Sequence, residues 1–169
     1  AAYAVGANVG KNAGHDYNWF IQQMNEECKS LGGNNSNFVN ANGLHDDNHY
    51  TTAYDLYLIF NECIKHEDFV NIIQSEAYTA YYTDVDGNSQ EVLFTPTNLY
   101  AQGEVDVPEN VTIVGGKTGT TDEAGYCLIL MEKDSSDNPY ISIVMGASEK
   151  PVLYEDMTSL IEAIPSGQQ

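Results

Sequence analysis

Residues 115–121 read Gly-Gly-Lys-Thr-Gly-Thr-Thr, which sets one ammonium and neighbouring hydroxyls in a glycine-rich stretch. The chain has six basic residues, all lysine, so a lysine at such a backbone-permissive position is not filler. Glycines on both sides let a ligand backbone approach closely. Lys117 and Thr118 then offer a charge and hydrogen-bond donors to a carboxylate. Other candidate chemistry is thinner. His15, His45, His49 and His66 lack the spacing that would clasp a metal from one helix face, and His45 and His49 read as structural. Asp84-Val85-Asp86-Gly87-Asn88 places its glycine too early for a calcium loop and reads as a turn. Ser136-Asp137-Asn138 sits in a polar stretch ending at Pro139 and also reads as a turn.

The elements that must position Lys117 follow from periodicity and punctuation. Residues 1–12 are small, apolar and in helical register. Asp16 is placed to cap a helix over 17–31, with Phe20, Met24, Cys28 and Leu31 on one face and Gly32-Gly33 at its end. Residues 34–49, rich in Asn, Gly and Asp, read as an ordered loop. Thr51 or Thr52 caps a third helix carrying Leu56, Ile59, Phe60 and Cys63, and a shorter helix follows over 67–75. The pattern then turns to alternation: a hairpin over 78–94, strands over 111–118, 125–132 and 140–147, and a closing helix over 154–164. Helices, then a strand meander, then a helix indicate an α+β fold with an antiparallel sheet and helices packed on it. Residues 1–164 read as one unit, with 165–169 as a tail.

Composition narrows the class of partner. At 169 residues the chain can build one sizeable core. Six basic against 25 acidic residues give a net charge of −19. That excludes nucleic acid as the expected partner, because phosphate binding needs clustered cations. No segment approaches the roughly 18 consecutive apolar residues of a membrane span. Cys28, Cys63 and Cys127 are odd in number and have no metal-ligand spacing, so three buried thiols are expected.

Three blocks carry a resemblance that spans nearly the whole chain. They are 37–56 (Asn37-Phe38-Val39-Asn40, Gly43-Leu44-His45-Asp46 and His49 through Leu56), 116–128 (Gly116-Lys117-Thr118-Gly119, then Glu123 through Leu128), and Ile143-Val144-Met145-Gly146-Ala147. Together they resemble the D-alanyl-D-alanine carboxypeptidases, low-molecular-weight penicillin-binding proteins of the serine transpeptidase-like family. The resemblance implies the carboxyl-terminal two-thirds of a β-lactamase/transpeptidase-like domain. It implies an extracytoplasmic enzyme, secreted or membrane-tethered in the cell envelope. Such an enzyme acts on peptidoglycan D-Ala-D-Ala stem peptides, is acylated by β-lactams, and needs no metal or organic cofactor. Carried over residue by residue, Lys117 and Thr118 hold the terminal carboxylate. Gly119 keeps the strand edge clear, and the backbone N–H of Thr120 supplies an oxyanion-hole donor.

The family nucleophile lies in Ser-x-x-Lys, and no serine here has a lysine three residues on. No catalytic nucleophile is therefore expected in this chain, and it is expected to be inactive alone. Both this motif and the Ser-x-Asn triplet are expected amino-terminal to Ala1, which makes the chain a fragment. Such a fragment would need the missing segment bound in trans, or would self-associate through an open strand edge. Two alternatives stay open: a non-catalytic module that recognises wall peptides or protein partners, and a serine β-lactamase.

Overall fold

The computed structural model describes residues 1–165; the rest of the expected tail lies outside the described residues. Six helices and five strands follow in the order α1 (Ala2–Asn12), α2 (Tyr17–Ser30), α3 (Ala53–Cys63), α4 (Glu67–Ile73), β1 (Tyr78–Thr83), β2 (Ser89–Phe94), α5 (Leu99–Gln102), β3 (Val111–Thr121), β4 (Gly125–Asp134), β5 (Pro139–Ala147) and α6 (Lys150–Glu162). Strands β3, β4 and β5 form an antiparallel sheet in that order, and β1 and β2 form a separate two-stranded ribbon. The α+β architecture with an antiparallel sheet is as the sequence implies.

The core is the interface of β4 with α6. Leu128 and Leu130 alternate onto one face of β4, and Leu153, Met157 and Ile161 recur every four residues along α6. Leu128, Leu130, Met157 and Ile161 are fully buried, with Tyr100 and Tyr154 packed edge to face beside them. Each such side chain stabilises the fold by about 1.5–3 kcal/mol of transfer free energy. On the opposite side of the sheet, α4 lies directly on β3. A Cβ at Gly115 would collide with the carbonyl oxygen of Ile73, so the close approach requires glycine. In the helical layer, α1 packs on α2 through a similar contact of Gly10 with the Asp16 carbonyl.

The capping signals work as read. The Asp16 carboxylate accepts from Trp19 N at 2.9 Å, and Thr52, not Thr51, caps α3 by accepting from Asp55 N at 3.1 Å. Three expectations need correction. The last helix starts at Lys150 rather than at residue 154, because Pro151 sits in the first turn, where its missing N–H costs nothing. On α2, Ile21 and Cys28 are the buried residues, while Phe20, which faces Gly6 of α1, and Met24 are half-buried. Of the three thiols, all free, Cys28 is buried but Cys63 and Cys127 are half-buried.

Glu132 lies on β4 beside Leu130, on the face covered by α6, and is fully buried. Neither carboxyl oxygen has a hydrogen-bond partner, and burial pushes its pKa up to about 8, only partly offset by nearby Ser142. In the unfolded chain this carboxyl ionises near its ordinary value of 4.5. Its contribution is therefore favourable below that value and is lost progressively as pH rises towards 8. Chemical unfolding between pH 5 and pH 8 is expected to show stability falling with pH, and Glu132→Gln to remove most of that slope. A slope unchanged in the variant would mean that Glu132 is not its source.

Candidate functional site

The candidate site is built on β3, whose one side pairs with β4 and whose other side has no partner strand among the described residues. The register sets Lys117 opposite Ile129, Thr118 opposite Leu128, Gly119 opposite Cys127 and Thr120 opposite Tyr126. Cross-strand partners share a face. Thr118 therefore lies on the face that packs against α6, and Lys117 and Gly119 lie on the face where α4 packs. A register irregularity between Ile113 and Gly115 precedes the triplet, at the point where α4 lies on the strand. Lys117 is exposed, and its ammonium donates to the carbonyl of Thr118. Gly119 is exposed, and a Cβ placed there would meet nothing within 4 Å, so the strand surface is clear at that point. Thr120 lies on the exposed end of β3. The Thr121 hydroxyl ends the strand by accepting from Ala124 N at 3.0 Å.

Two loops flank this strand. The first, residues 34–50, is as ordered as its sequence implies. The buried carboxylate of Asp55 accepts from Asn35 N at 2.8 Å and from the Ser36 hydroxyl at 2.7 Å. The Asn25 amide reads both backbone groups of Phe38, donating to its oxygen and accepting from its N–H, each at 2.7 Å. His49 Nδ1 accepts from Val39 N at 3.1 Å, and burial pushes the imidazole pKa down. A neutral His49 thus serves as structural acceptor, as read from the sequence. His45, at the exposed tip, comes within 3.9 Å of Glu123 in the β3–β4 turn. That brings the loop to the same end of β3 as Thr120.

The second loop, residues 95–98, was missed by sequence reading. Thr97 Oγ1 lies 2.5 Å from Thr118 Oγ1. The Asn98 side chain caps the one-turn helix α5 by accepting from Tyr100 N at 3.1 Å, and Gly103 closes it at φ 71°. Four residues are too few to register as a period, and the signal available was the cap-and-glycine pair around them. The two motifs read as turns are turns. Asp84 accepts from Asp86 N and Asn88 N, and Asp134 accepts from Ser136 N and Asn138 N. No group of three His, Cys, Asp or Glu side chains among the described residues is arranged to hold a metal ion.

Comparison with known proteins fits this arrangement. Residues 4–149 match a family described as D-alanyl-D-alanine carboxypeptidase, so the chain belongs to that family. It is 29% identical over 145 residues to the D-alanyl-D-alanine carboxypeptidase DacF of Bacillus subtilis, covering 85% of this chain and 34% of DacF. It is 30% identical over 152 residues to a D-alanyl-D-alanine endopeptidase of Escherichia coli, covering 90% of this chain and 46% of that protein. The crystal structure of the Streptomyces K15 DD-transpeptidase superposes with a TM-score of 0.74 at 26% identity, covering 85% of this chain and 52% of that one. The chain thus spans between a third and a little over half the length of these relatives. The family resemblance and the transpeptidase-like fold stand as the sequence implied.

Asp55 is an anchor of the 34–50 loop, and its loss strands the Asn35 amide and leaves the Ser36 hydroxyl with Thr51 alone. Asp55→Ala is expected to cost about 2–4 kcal/mol. It is also expected to speed hydrogen exchange at Asn35 and across residues 37–50, while β4 amides keep their order of protection. Unchanged exchange in the loop would show that Asp55 does not hold it.

Proposed function

We propose that this chain forms the substrate-strand part of a serine D,D-carboxypeptidase that acts, outside the cytoplasm, on D-Ala-D-Ala-terminated peptidoglycan stem peptides and is acylated by β-lactams. The observation that carries the reading is an exposed Lys117 on a strand edge that stays open and glycine-cleared at Gly119. An extended peptide adds to such an edge as a further strand. Its terminal carboxylate meets the Lys117 ammonium and the Thr118 hydroxyl. The backbone N–H of Thr120 serves as one oxyanion-hole donor, a group worth roughly 3–4 kcal/mol of barrier. A serine hydroxyl then adds to the penultimate D-Ala carbonyl and its proton passes to a base. The terminal D-Ala leaves as the amine, and water hydrolyses the ester to regenerate the serine.

The serine and its lysine are supplied by a segment outside this sequence, because no serine in the chain has a lysine three residues on. Residues 1–164 are taken as part of one domain shared with that segment. Support for a docked segment comes from the open edge of β5. A groove of about 460 Å³ runs beside Tyr140–Ile143, walled by Tyr57, Leu160 and Ile164. Tyr3, Val5 and Val9 add an exposed apolar face on α1. A strand pairing with β5 and a helix covering α1 fit these surfaces, and without them the chain is expected to self-associate. The same lack of an activated serine favours, as second reading, a module that holds wall peptides without turnover.

Intact mass after incubation with a fluorescent penicillin is expected to show no adduct on this chain alone. Titration with acetyl-D-Ala-D-Ala is expected to move the amide resonances of residues 117–120, and Lys117→Ala to abolish that response. Acylation of a serine in this chain would place the nucleophile here after all. A response indifferent to Lys117→Ala would remove the strand as the carboxylate site. A monodisperse monomer that unfolds cooperatively would refute the need for a docked segment.

A further inference from the structure

We propose that Thr97 is a positioning residue for carboxylate recognition, setting the direction in which the Thr118 hydroxyl donates. This rests on reading Lys117 and Thr118 as the pair that holds a ligand carboxylate. The two hydroxyls lie 2.5 Å apart across 21 residues of sequence, so one donates to the other. Each hydroxyl has a single hydrogen. When Thr97 donates to Thr118, the Thr118 hydrogen is left to point at a ligand, and the bond it receives makes it a stronger donor.

The loop that carries Thr97 is fastened well enough to hold that direction. Leu99 N donates to the Tyr154 hydroxyl at 2.9 Å, and Gln102 Nε2 donates to the Pro96 carbonyl at 2.7 Å. Tyr154 belongs to α6 and is buried. Thr97 is thus tied to the helix that also packs under Leu128, the cross-strand partner of Thr118. Both threonines are indexed to one rigid support, approached from two sides.

This matters because the chain has no guanidinium with which to fork a carboxylate. Lys117 is a point charge on a flexible stem, and it supplies attraction with little direction. An oriented Thr118 hydroxyl supplies the direction. It favours an acceptor-only carboxylate over a carboxamide, which can also present donors. With Thr97 replaced by valine, Thr118 is free to turn its hydrogen away, and that preference falls.

The test is an NMR titration of the whole chain with acetyl-D-Ala-D-Ala and with its terminal amide, following residues 117–120. Wild type, Thr97→Val and Thr97→Ser are compared. Thr97→Val is expected to weaken the carboxylate peptide about fivefold, the scale of one neutral hydrogen bond. Amide binding and the thermal midpoint are expected to change little, and Thr97→Ser to restore the preference. Equal binding of the carboxylate by wild type and Thr97→Val overturns the proposal. Parallel loss of both ligands with a lowered midpoint also overturns it, since that marks a purely structural role. A wild type blind to the carboxylate fails the reading of Lys117 itself, a distinct result visible before any Thr97 variant is made.

Discussion

The register of β3 on β4 is the constraint on which the rest of this structure depends. Side chains alternate along a strand, so a slip of one residue would exchange the faces of Lys117 and Thr118. What prevents the slip is burial on β4. Leu128 and Leu130 have only one face on which Met157 and Ile161 can receive them. The core thus reaches the Lys117 strand through the sheet ladder. Charge does little of this work, since the ion pairs of the described residues are exposed and such pairs are worth at most about 1 kcal/mol.

A second layer of order comes from polar groups that satisfy backbone rather than one another. Asp55, Asn25 and His49 each hold the 34–50 loop by its amides or carbonyls. A loop held this way keeps its shape without a hydrophobic core of its own. It can therefore carry exposed groups such as His45 and Asp47 at its tip. Glu132 is the exception to the pattern, a buried carboxyl with no hydrogen-bond partner among the described residues. Where the loop gains stability from each polar contact, that side chain is tolerated because its surroundings keep it protonated near neutral pH.

Much of this was legible in the sequence because it is written locally. Asp16 and Thr52 announce helix starts through one hydrogen bond each, and the alternation of β3 to β5 needs no distant information. The two hairpin loops were legible for the same reason. Asp84 and Asp134 each gather the amides two and four residues ahead. The triplet at Lys117 and its neighbours made the family legible. What escaped depends on contacts across long separations. Nothing near Thr97 in sequence says that it meets Thr118, and nothing near Glu132 says that α6 will cover it. The start of α6 escaped for a different reason: Pro151 breaks a helix everywhere except in its first turn.

The contact between Gly115 and the end of α4 has a mechanical consequence. Helical layer and sheet touch there backbone to backbone, two residues before Lys117. At the other end of β3 the solvated pair of His45 and Glu123 links the 34–50 loop to the β3–β4 turn. One contact leaves no room for a side chain and the other is open to solvent. A ligand lying along β3 would thus have a backbone-to-backbone contact behind its Lys117 end and a solvated side-chain pair beside its Thr120 end.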